Sequence, residues 1–232
     1  MLNGEAVVAI WNDITAEGRA EFYAWHLHEH MAERTAIPGF NRGRRYVAAN
    51  SETRPEFFTL YEADTMGVLQ GSDYLARLNA PTPWTRLATS GFRNTFRSLA
   101  HVLESVGPGA GGYILTVRFD ANPEQADAVA ALIRAAPEWP RVTGAHLCRA
   151  DPVASGTGTA ESEERTDLLA PPSWFALVEA TDLDALTPVL PDGALRQAGG
   201  TGATRGLYRL EYVQDKPLSR AEARGSEPAR GP

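Results

Sequence analysis

The chain has 232 residues but only one cysteine, Cys148, and only one lysine, Lys216. A single cysteine excludes a disulfide within the chain and any zinc or iron–sulfur site built from several thiolates. Schiff-base enzymes, including those that use pyridoxal phosphate, need a lysine amine held in a pocket. Because Lys216 lies beside a polar C-terminal segment that contains Pro and Gly, the sequence argues against that class of enzyme.

Long apolar runs are also absent. The longest runs, such as residues 7–11 and 57–61, are far shorter than the ~20 residues of a membrane-spanning helix. Residues 1–5 contain no basic region followed by an apolar stretch, which argues against a secretory signal. We therefore expect a cytoplasmic protein that has no membrane partner.

The composition is nevertheless typical of a folded protein. Hydrophobic residues make up 43 % of the chain, which is enough to bury a core, and the formal net charge is −7. The basic residues are almost all arginine, and they form no long basic run. An acidic chain without such a run is not expected to have a nucleic-acid partner.

The hydrophobic pattern divides the chain into two similar halves, residues 1–106 and 113–215, joined by a Gly/Pro-rich linker at 107–112. Each half has the element order β-α-β-β-α-β. In the first half, strands are predicted at 6–11, 40–49, 56–63 and 91–103, with helices at 15–34 and 66–78. In the second half, strands are predicted at 113–119, 142–150, 174–180 and 205–213, with helices at 123–136 and 183–189.

This order predicts an α+β fold built from two tandem ferredoxin-like units. Helices cover one face of each sheet, and the two bare faces pack together as an intramolecular barrel. The second half carries a long polar insert at 151–172, and residues 216–232 are expected to form a disordered tail. Four of the five histidines lie in the first half, so we expect the functional site there.

Three histidines lie within five residues of the first helix: His26, His28 and His30, next to Glu29. In a regular helix His26, Glu29, His30 and Glu33 share one face, whereas His28 points away. A histidine beside a carboxylate suits acid–base catalysis, because it titrates near neutrality and its partner holds the tautomer. We expect His30 or His26 to move a proton and Glu29 to orient the ring. The alternative is a solvated polar face.

The same residues allow a second interpretation as a metal site. His26, Glu29 and His30 match the H-x-x-E-H pattern of the inverted zinc peptidases, with the histidines as ligands and Glu29 as base. The third ligand would then be Glu104. Our prediction is that no metal is bound, and that His26 and His30 are the ligands if one is.

The strand that follows is rich in arginine. Alternation sends Arg42, Arg44 and Tyr46 to one face of the sheet and Arg45 to the other. A buried arginine needs an anion, which is either a carboxylate of the first helix or a carboxylate of the substrate. We expect Arg44 or Arg45 to bind the substrate, with Tyr46 beside them.

Other residues are candidates for the rest of a binding site. Arg86 can supply a second anion contact, and Trp84 and Tyr61 offer flat apolar surface, although both also suit a plain core. In the insert, Glu161 and Arg165 are candidate lid contacts, and a solvated loop is the alternative.

The remaining motifs are weak. His146 and Cys148 share a strand face, so a thiolate–imidazole pair is conceivable, although a lone cysteine in a strand is usually a core residue. The sequence contains neither G-x-G-x-x-G nor a P-loop pattern, so it does not support a nucleotide cofactor.

The run Phe22-x-x-Trp25-x-x-x-x-His30, followed by Ile-Pro-Gly-Phe at 37–40 and by Arg45-Tyr46, resembles the EthD-like group of dimeric α/β-barrel proteins. The similarity covers residues 5–105, and it extends to 112–214 only through the element order. The resemblance implies two sheets packed as a barrel, which two chains usually supply and which tandem copies would supply here. It also implies a superfamily of muconolactone-type isomerases, cofactor-free monooxygenases and heme-dependent enzymes.

Together these features predict a cofactor-independent enzyme that acts on a small organic acid or an aromatic catabolite. Proton abstraction next to a carbonyl, followed by isomerisation, elimination or decarboxylation, requires no cofactor. Two alternatives remain open: a non-catalytic binding protein of the same fold, and a monooxygenase or hydrolase with a histidine-ligated metal or heme. A homodimer is also left open.

Overall fold

The structure is a computed structural model that describes residues 1–163 and 165–217. Its sheet contains nine strands within these ranges. They are β1 Ala6–Ile14, β2 Phe40–Ala48, β3 Phe57–Ala63, β4 Phe92–Val106, β5 Tyr113–Asp120, β6 Val142–Ala150, β7 Leu168–Leu169, β8 Trp174–Ala180 and β9 Thr201–Asp215.

Helix α1 runs over residues 19–35 in three parts: the α-helical Arg19–Trp25, a π-helical turn His26–His30, and the α-helical Met31–Thr35. The other α-helices are short. They are α2 Met66–Leu69, α3 Ser72–Leu78, α4 Pro83–Thr89, α5 Ala126–Ala135, α6 Pro152–Ser155, α7 Ala160–Glu163 and α8 Asp192–Gln197. Single 3₁₀ turns lie at Pro123–Gln125, Ala136–Glu138 and Asp184–Leu186.

Eight of these strands close into an antiparallel barrel. Their order is β1-β3-β2-β9-β5-β8-β6-β4, and β4 pairs back to β1. The first half contributes β4-β1-β3-β2 and the second half contributes β9-β5-β8-β6, joined by β2–β9 and β4–β6. The short β7 adds to β4 in parallel. The predicted α+β class and the closed barrel are confirmed.

Buried side chains fill the interior of the barrel. Trp11 stacks on Phe58 with ring centroids 5.0 Å apart and meets Phe175 edge-on at 5.3 Å. Tyr208 and Cys148 belong to the same fully buried cluster. The barrel is therefore a packed core between the two halves rather than a channel.

The helices lie on the outer faces of the barrel, and the two halves differ there. In the second half, α5 contributes Val129, Ala130 and Ile133 to an apolar cluster that fills the space between helix and sheet. In the first half, α1 places His26 and His30 in the corresponding space. Polar groups and a cavity therefore lie under the helices of the first half.

Most predicted elements lie within four residues of their predicted ends. The first helix begins at Arg19 rather than near Thr15, because Thr15 Oγ1 accepts a hydrogen bond from the Gly18 N–H at 3.2 Å and stabilises a preceding turn. The second predicted helix divides into α2 and α3. The helix predicted at 183–189 is one 3₁₀ turn, and α8 follows it.

The Pro-rich segment of the first half forms a helix that the sequence analysis did not predict. Pro83 begins α4, and Thr82 is its N-cap because Thr82 Oγ1 accepts a hydrogen bond from the Thr85 N–H at 2.9 Å. This helix packs against α1 and forms one wall of the site described below.

The insert and the C-terminal segment complete the described chain. The insert is ordered as α6, α7 and β7. The Lys216 N–H donates to the Asn41 carbonyl at 2.9 Å and so continues the β2–β9 edge. The predicted tail falls mostly on residues 218–232, outside the described residues. No helix in the described ranges is long and apolar enough to cross a membrane.

Candidate active site

The histidine cluster lies in the π-helical turn in the middle of α1. The Met31 N–H donates to the His26 carbonyl five residues back, one residue more than in an α-helix. The turn thus accommodates one extra residue, and its exposed members are Leu27 and His28. Gly43 lets β2 approach this part of the helix, because a Cβ there would lie 2.9 Å from the Met31 Cε.

The extra residue brings the buried side chains of α1 onto one face. In a regular helix Met31 would lie about 180° from Phe22, yet both are buried. The buried residues of this helix that lie around the turn are Phe22, Trp25, His26, His30, Met31 and Arg34. Glu29 and Glu33, predicted to share a face with the histidines, lie at its edge, where Thr82 Oγ1 donates to Glu29 at 2.6 Å.

His26 has protein partners at both ring nitrogens. Arg45 Nη1 lies 3.4 Å from His26 Nδ1, and Tyr61 Oη lies 3.4 Å from Nε2. Since arginine only donates, Nδ1 accepts and the proton of the neutral ring sits on Nε2. Burial, with further contributions from Arg45 and Arg34, lowers the pKa of His26 well below its usual range. His26 is therefore a neutral ring held by the protein.

His30 differs from His26 because its Nδ1 has no partner among the described residues. Its ring packs on Trp25 with centroids 4.1 Å apart and is 5 % exposed. Nδ1 is buried and makes no hydrogen bond in the part of the chain that the structure describes. Burial, followed by Arg34, His26 and Arg165, lowers the pKa of His30 well below its usual range. The ring is neutral and can still accept a proton.

A narrow cavity lies beside His30 between α1, the sheet and the insert. Water can occupy only about 30 Å³ of it, and the surrounding empty space, part of which is open solvent, is about 540 Å³. Apolar and aromatic side chains form most of its lining, which includes Val8, Ile10, Phe22, Trp25, Tyr61, Tyr74, Leu78 and Phe92. A cavity with apolar walls and a few convergent polar groups is typical of a small-molecule site.

Three arginines line this cavity: Arg34, Arg97 and Arg165. Arg97 donates to Tyr74 Oη at 2.9 Å and has no carboxylate partner among the described residues. Arg34 pairs with Glu161 and lies 4.0 Å from Glu33, and Arg165 pairs with Asp167. Arg97 is therefore the arginine of this cavity that is placed to meet a bound anion.

Two residues of the insert close the cavity. Glu161 forms an ion pair with Arg34 at 2.5 Å. Arg165 donates to Asp167 and to Thr95 Oγ1, both at 2.7 Å, and its guanidinium lies 4.9 Å from the centroid of the Phe92 ring. The insert of the second half thus covers the cavity of the first half.

The predicted arginine-strand residues divide between two places. Arg45 lies beside His26 and pairs with Glu211 at 3.3 Å. Arg44 and Tyr46 face the barrel interior instead. Arg44 is 1 % exposed and its anions are Glu62 at 2.9 Å and Glu179 at 2.8 Å. Because protein carboxylates satisfy its charge inside the core, Arg44 is not placed to hold a substrate, which corrects that prediction.

The remaining candidates also lie in several places. Tyr61 lines the histidine cavity, whereas Trp84 Nε1 donates to Glu21 and lies outside it. Arg86 lines a neighbouring depression of about 170 Å³ that shares Glu161 and Arg165 with the cavity. Arg86 therefore lies in that depression rather than beside His30.

The zinc-peptidase interpretation is not supported. In residues 1–163 and 165–217 there is no group of three His, Cys, Asp or Glu side chains that could hold a metal ion. Glu104, the predicted third ligand, forms an ion pair with Arg134 at 2.5 Å. A porphyrin does not fit either, because the space beside His26 and His30 is narrow and walled by packed aromatic rings.

The alternative of a thiolate–imidazole pair between His146 and Cys148 has no hydrogen bond to support it among the described residues. His146 bonds to Ser105 Oγ at 2.9 Å and to Glu179 at 3.2 Å instead of Cys148. Cys148 is fully buried in the barrel, and burial raises the pKa of its thiol far above its usual range. It is a core residue.

The sequence patterns did not predict Arg34, Arg97 and Tyr74 as site residues. Alternation along β4 could have placed Arg97 on the helix-covered face together with Leu99. Arg34 could have been placed by helical spacing, since it lies four residues after His30 and a regular helix puts the two about 40° apart.

Compared with known sequences, the chain matches no protein family and no curated protein. It is similar in structure to an anthrone oxidase-like protein, with a TM-score of 0.60 and 10 % identity over 92 % of this chain and 93 % of that one. It is also similar to a monooxygenase candidate from Lactobacillus acidophilus NCFM, with a TM-score of 0.53 and 9 % identity over 91 % of this chain and 97 % of that one. A variant chlorite dismutase from Candidatus Nitrospira defluvii has a TM-score of 0.53 and 10 % identity over 91 % of this chain and 93 % of its own. The chain therefore has the dimeric α/β-barrel fold that these proteins share.

Proposed function

We propose that the chain is an enzyme that removes a proton from a small aromatic carbonyl compound or organic acid, with His30 as the base and without a cofactor. One observation carries this proposal. His30 is a neutral, buried ring whose Nδ1 has no hydrogen-bond partner among the described residues, and it lies at an aromatic cavity lined by arginines. A base with these properties can accept a proton from a ligand without first losing a protein partner.

The arginines of the cavity favour the enolate that this step forms. The C–H bond next to a carbonyl breaks, its electron pair enters the carbonyl as an enolate, and the proton goes to a ring nitrogen of His30. Arg97 has no carboxylate within ion-pair distance among the described residues. Its charge, with those of Arg34 and Arg165, would stabilise the enolate oxygen.

His30 is a better candidate for the base than His26. The acceptor nitrogen of His26 already faces Arg45, so protonation there would place two cations 3.4 Å apart. Glu29, predicted to orient the ring, bonds to Thr82 instead. The ring of His30 is held by its packing on Trp25.

The enolate is common to several reactions. Reprotonation of the enolate at another carbon is an isomerisation, and loss of a group from it is an elimination or a decarboxylation. Transfer of its electrons to dioxygen is an oxidation, the class of reaction that the names of two structural neighbours indicate. The geometry supports the shared first step, so the test addresses that step alone.

The experiment measures exchange of the acidic proton in D₂O by NMR for a panel comprising anthrone, 2-tetralone and phenylpyruvate. The wild type should accelerate exchange for at least one compound, and His30→Gln should lower that rate ~100-fold or more. His28→Gln is the matched control, because His28 is exposed on the same turn. Acceleration that survives in His30→Gln would reject His30 as base. Binding of a panel member without exchange would identify a non-catalytic binding protein.

We also infer that the two halves are tandem copies of one ferredoxin-like unit of the EthD-like type. Ala63 pairs with the first residue of β1, and Ala180 pairs with the first residue of β5. A buried glutamate directly precedes each, Glu62 and Glu179. Equivalent positions with the same rare residue support duplication.

A further inference from the structure

A second cavity lies where the insert meets the barrel, at the end of β5. Its volume is about 490 Å³, and its lining includes Phe96, Arg118 and the apolar segment 170–172. None of these residues lines the histidine cavity. The space is large enough for a small organic molecule.

Arg118 in this cavity is a buried cation without an anion. Arg34, Arg44, Arg45 and Arg118 are the buried arginines of the described chain. The first three each have a carboxylate within 4.0 Å. Arg118, 8 % exposed, has no such partner among the described residues, and its hydrogen bond there goes to the Arg54 carbonyl at 3.2 Å. Buried charges are normally paired, so this one can accept an external anion.

The surroundings of Arg118 determine which anion fits. Its guanidinium lies 4.4 Å from the centroid of the Phe96 ring and 5.4 Å from that of Trp11. Aromatic rings contact the face of a guanidinium, whereas carboxylates bind its N–H edge in the same plane. Aromatic contact therefore leaves the edge available, and one carbonyl bond leaves most of its five donors unused.

The opposite wall is apolar, which favours a ligand with a flat body. Pro171 and Pro172 lie across the cavity from the barrel strands. Asp120 lines the same cavity, and its carboxylate accepts a hydrogen bond from Ser173 Oγ. A second negative charge nearby disfavours dianions.

We propose that this cavity is a second binding site, distinct from the histidine cavity, for a small monocarboxylate with an aromatic or unsaturated body. The carboxylate accepts two hydrogen bonds from Arg118, and the flat body packs between Phe96 and the segment 170–172.

The test is isothermal titration calorimetry of the full chain with benzoate. Benzamide is titrated in the same way as the neutral analogue. Arg118→Gln should weaken benzoate binding ~10-fold or more, because it removes a charge-assisted bidentate pair. Arg118→Lys should weaken it less. Arg149→Gln is the matched control, because the Arg149 guanidinium also lies over an indole ring, 5.8 Å from the centroid of Trp174. The Arg149→Gln variant should bind benzoate as the wild type does.

Other outcomes would overturn the proposal. They are undetectable benzoate binding by the wild type at millimolar concentration, equal affinity in Arg118→Gln, and equal affinity for benzamide. Loss of binding in Arg34→Gln but not in Arg118→Gln would assign the anion to the histidine cavity. Phe96→Ala, which keeps the charge, should also weaken benzoate if the ring packs on Phe96.

Discussion

Arg34 is 4 % exposed and pairs with Glu161, a residue 127 positions further along the chain. Its other guanidinium terminus, Nη1, is buried without a hydrogen-bond partner in the described chain and lies 4.0 Å from Glu33. The cation is thus held mainly by one carboxylate of the insert. Loss of that carboxylate would leave a buried charge poorly paired.

Glu161→Gln should therefore lower the free energy of unfolding by about 1–3 kcal/mol. Chemical denaturation monitored by tryptophan fluorescence measures the change. The matched control is Glu163→Gln on the same short helix, because Glu163 is exposed and its substitution should alter stability by less than ~0.5 kcal/mol. Equal effects of the two substitutions would contradict this role of Glu161.

The histidines predict a dependence of stability on pH. Burial and the nearby arginines lower the pKa of His26 and His30 below the value of 6.5 that they have when exposed. The unfolded chain therefore binds protons below pH 6.5 that the folded chain does not bind. Stability from this source is complete above pH 6.5 and falls at lower pH by up to about 1.4 kcal/mol per pH unit for each histidine.

Denaturation between pH 7 and pH 5 should show this fall, and the double substitution His26→Gln/His30→Gln should make it shallower. A residual slope is expected, because burial also lowers the pKa of His146. His28→Gln should keep the wild-type slope, since that side chain is exposed. An unchanged slope in the double variant would show that the two rings are not the source.

At the scale of elements, helix α1 depends on its π turn. The π turn accommodates one extra residue between Trp25 and Met31 compared with an α-helix. Because of this extra residue, the buried residues of α1 lie on one face. Deleting one exposed residue of the turn would leave a regular helix with the same buried face, since each residue turns a regular helix by about 100°. The π turn is thus needed for the placement of the histidines rather than for burial of the helix.

Deletion of Leu27 should therefore give a folded protein whose Tm equals or exceeds that of the wild type, but whose proton exchange on the panel compounds is lost. The reason is that His26 and His30 are four residues apart in the π turn of the wild type, whereas in the deletion variant they are three residues apart on an α-helix. Thermal unfolding and NMR exchange measure the two effects. Leu27→Ala keeps the turn and should retain exchange. Full exchange activity in the deletion variant would contradict a functional role for the π turn.

At the scale of the molecule, the barrel joins the halves through strand pairing and through a buried ionic network. Arg44 of the first half contacts Glu62 of its own half and Glu179 of the other. Arg44, with other groups, holds the pKa of Glu179 at about 2, against the effect of burial. His146 and the Gly111 N–H also bond to Glu179. Removal of Arg44 would leave a carboxylate buried between the halves.

Arg44→Met should lower the free energy of unfolding by about 3–5 kcal/mol, measured in urea. Addition of Glu179→Gln to this variant should recover part of the loss, because the unpaired charge is then absent. Arg42→Met is the control. Within residues 1–163 and 165–217 the ion-pair partner of Arg42 is Glu62 alone, and Arg42 is 18 % exposed, so a smaller loss is expected. A double variant less stable than Arg44→Met would show that the charge of Glu179 is not the cause.

The sequence alone predicted the order of the eight barrel strands, the closed barrel and the helix that holds the histidine cluster. These depend on local information: alternation in strands, apolar periodicity in helices, and Gly and Pro at the linker and turns. The same local information correctly separated Arg45 from Arg44 and Tyr46 across β2.

Only the tertiary structure decided which side chains meet. The π turn removes Glu29 from the histidine face, and the insert brings Glu161 to Arg34 across 127 residues. Arg44 finds its anion in Glu179, 135 residues away. Such partners are chosen by closure of the barrel and packing of the insert, which are properties of the whole chain. A single stretch of sequence does not contain them, since no local periodicity depends on which distant carboxylate will neutralise a buried arginine.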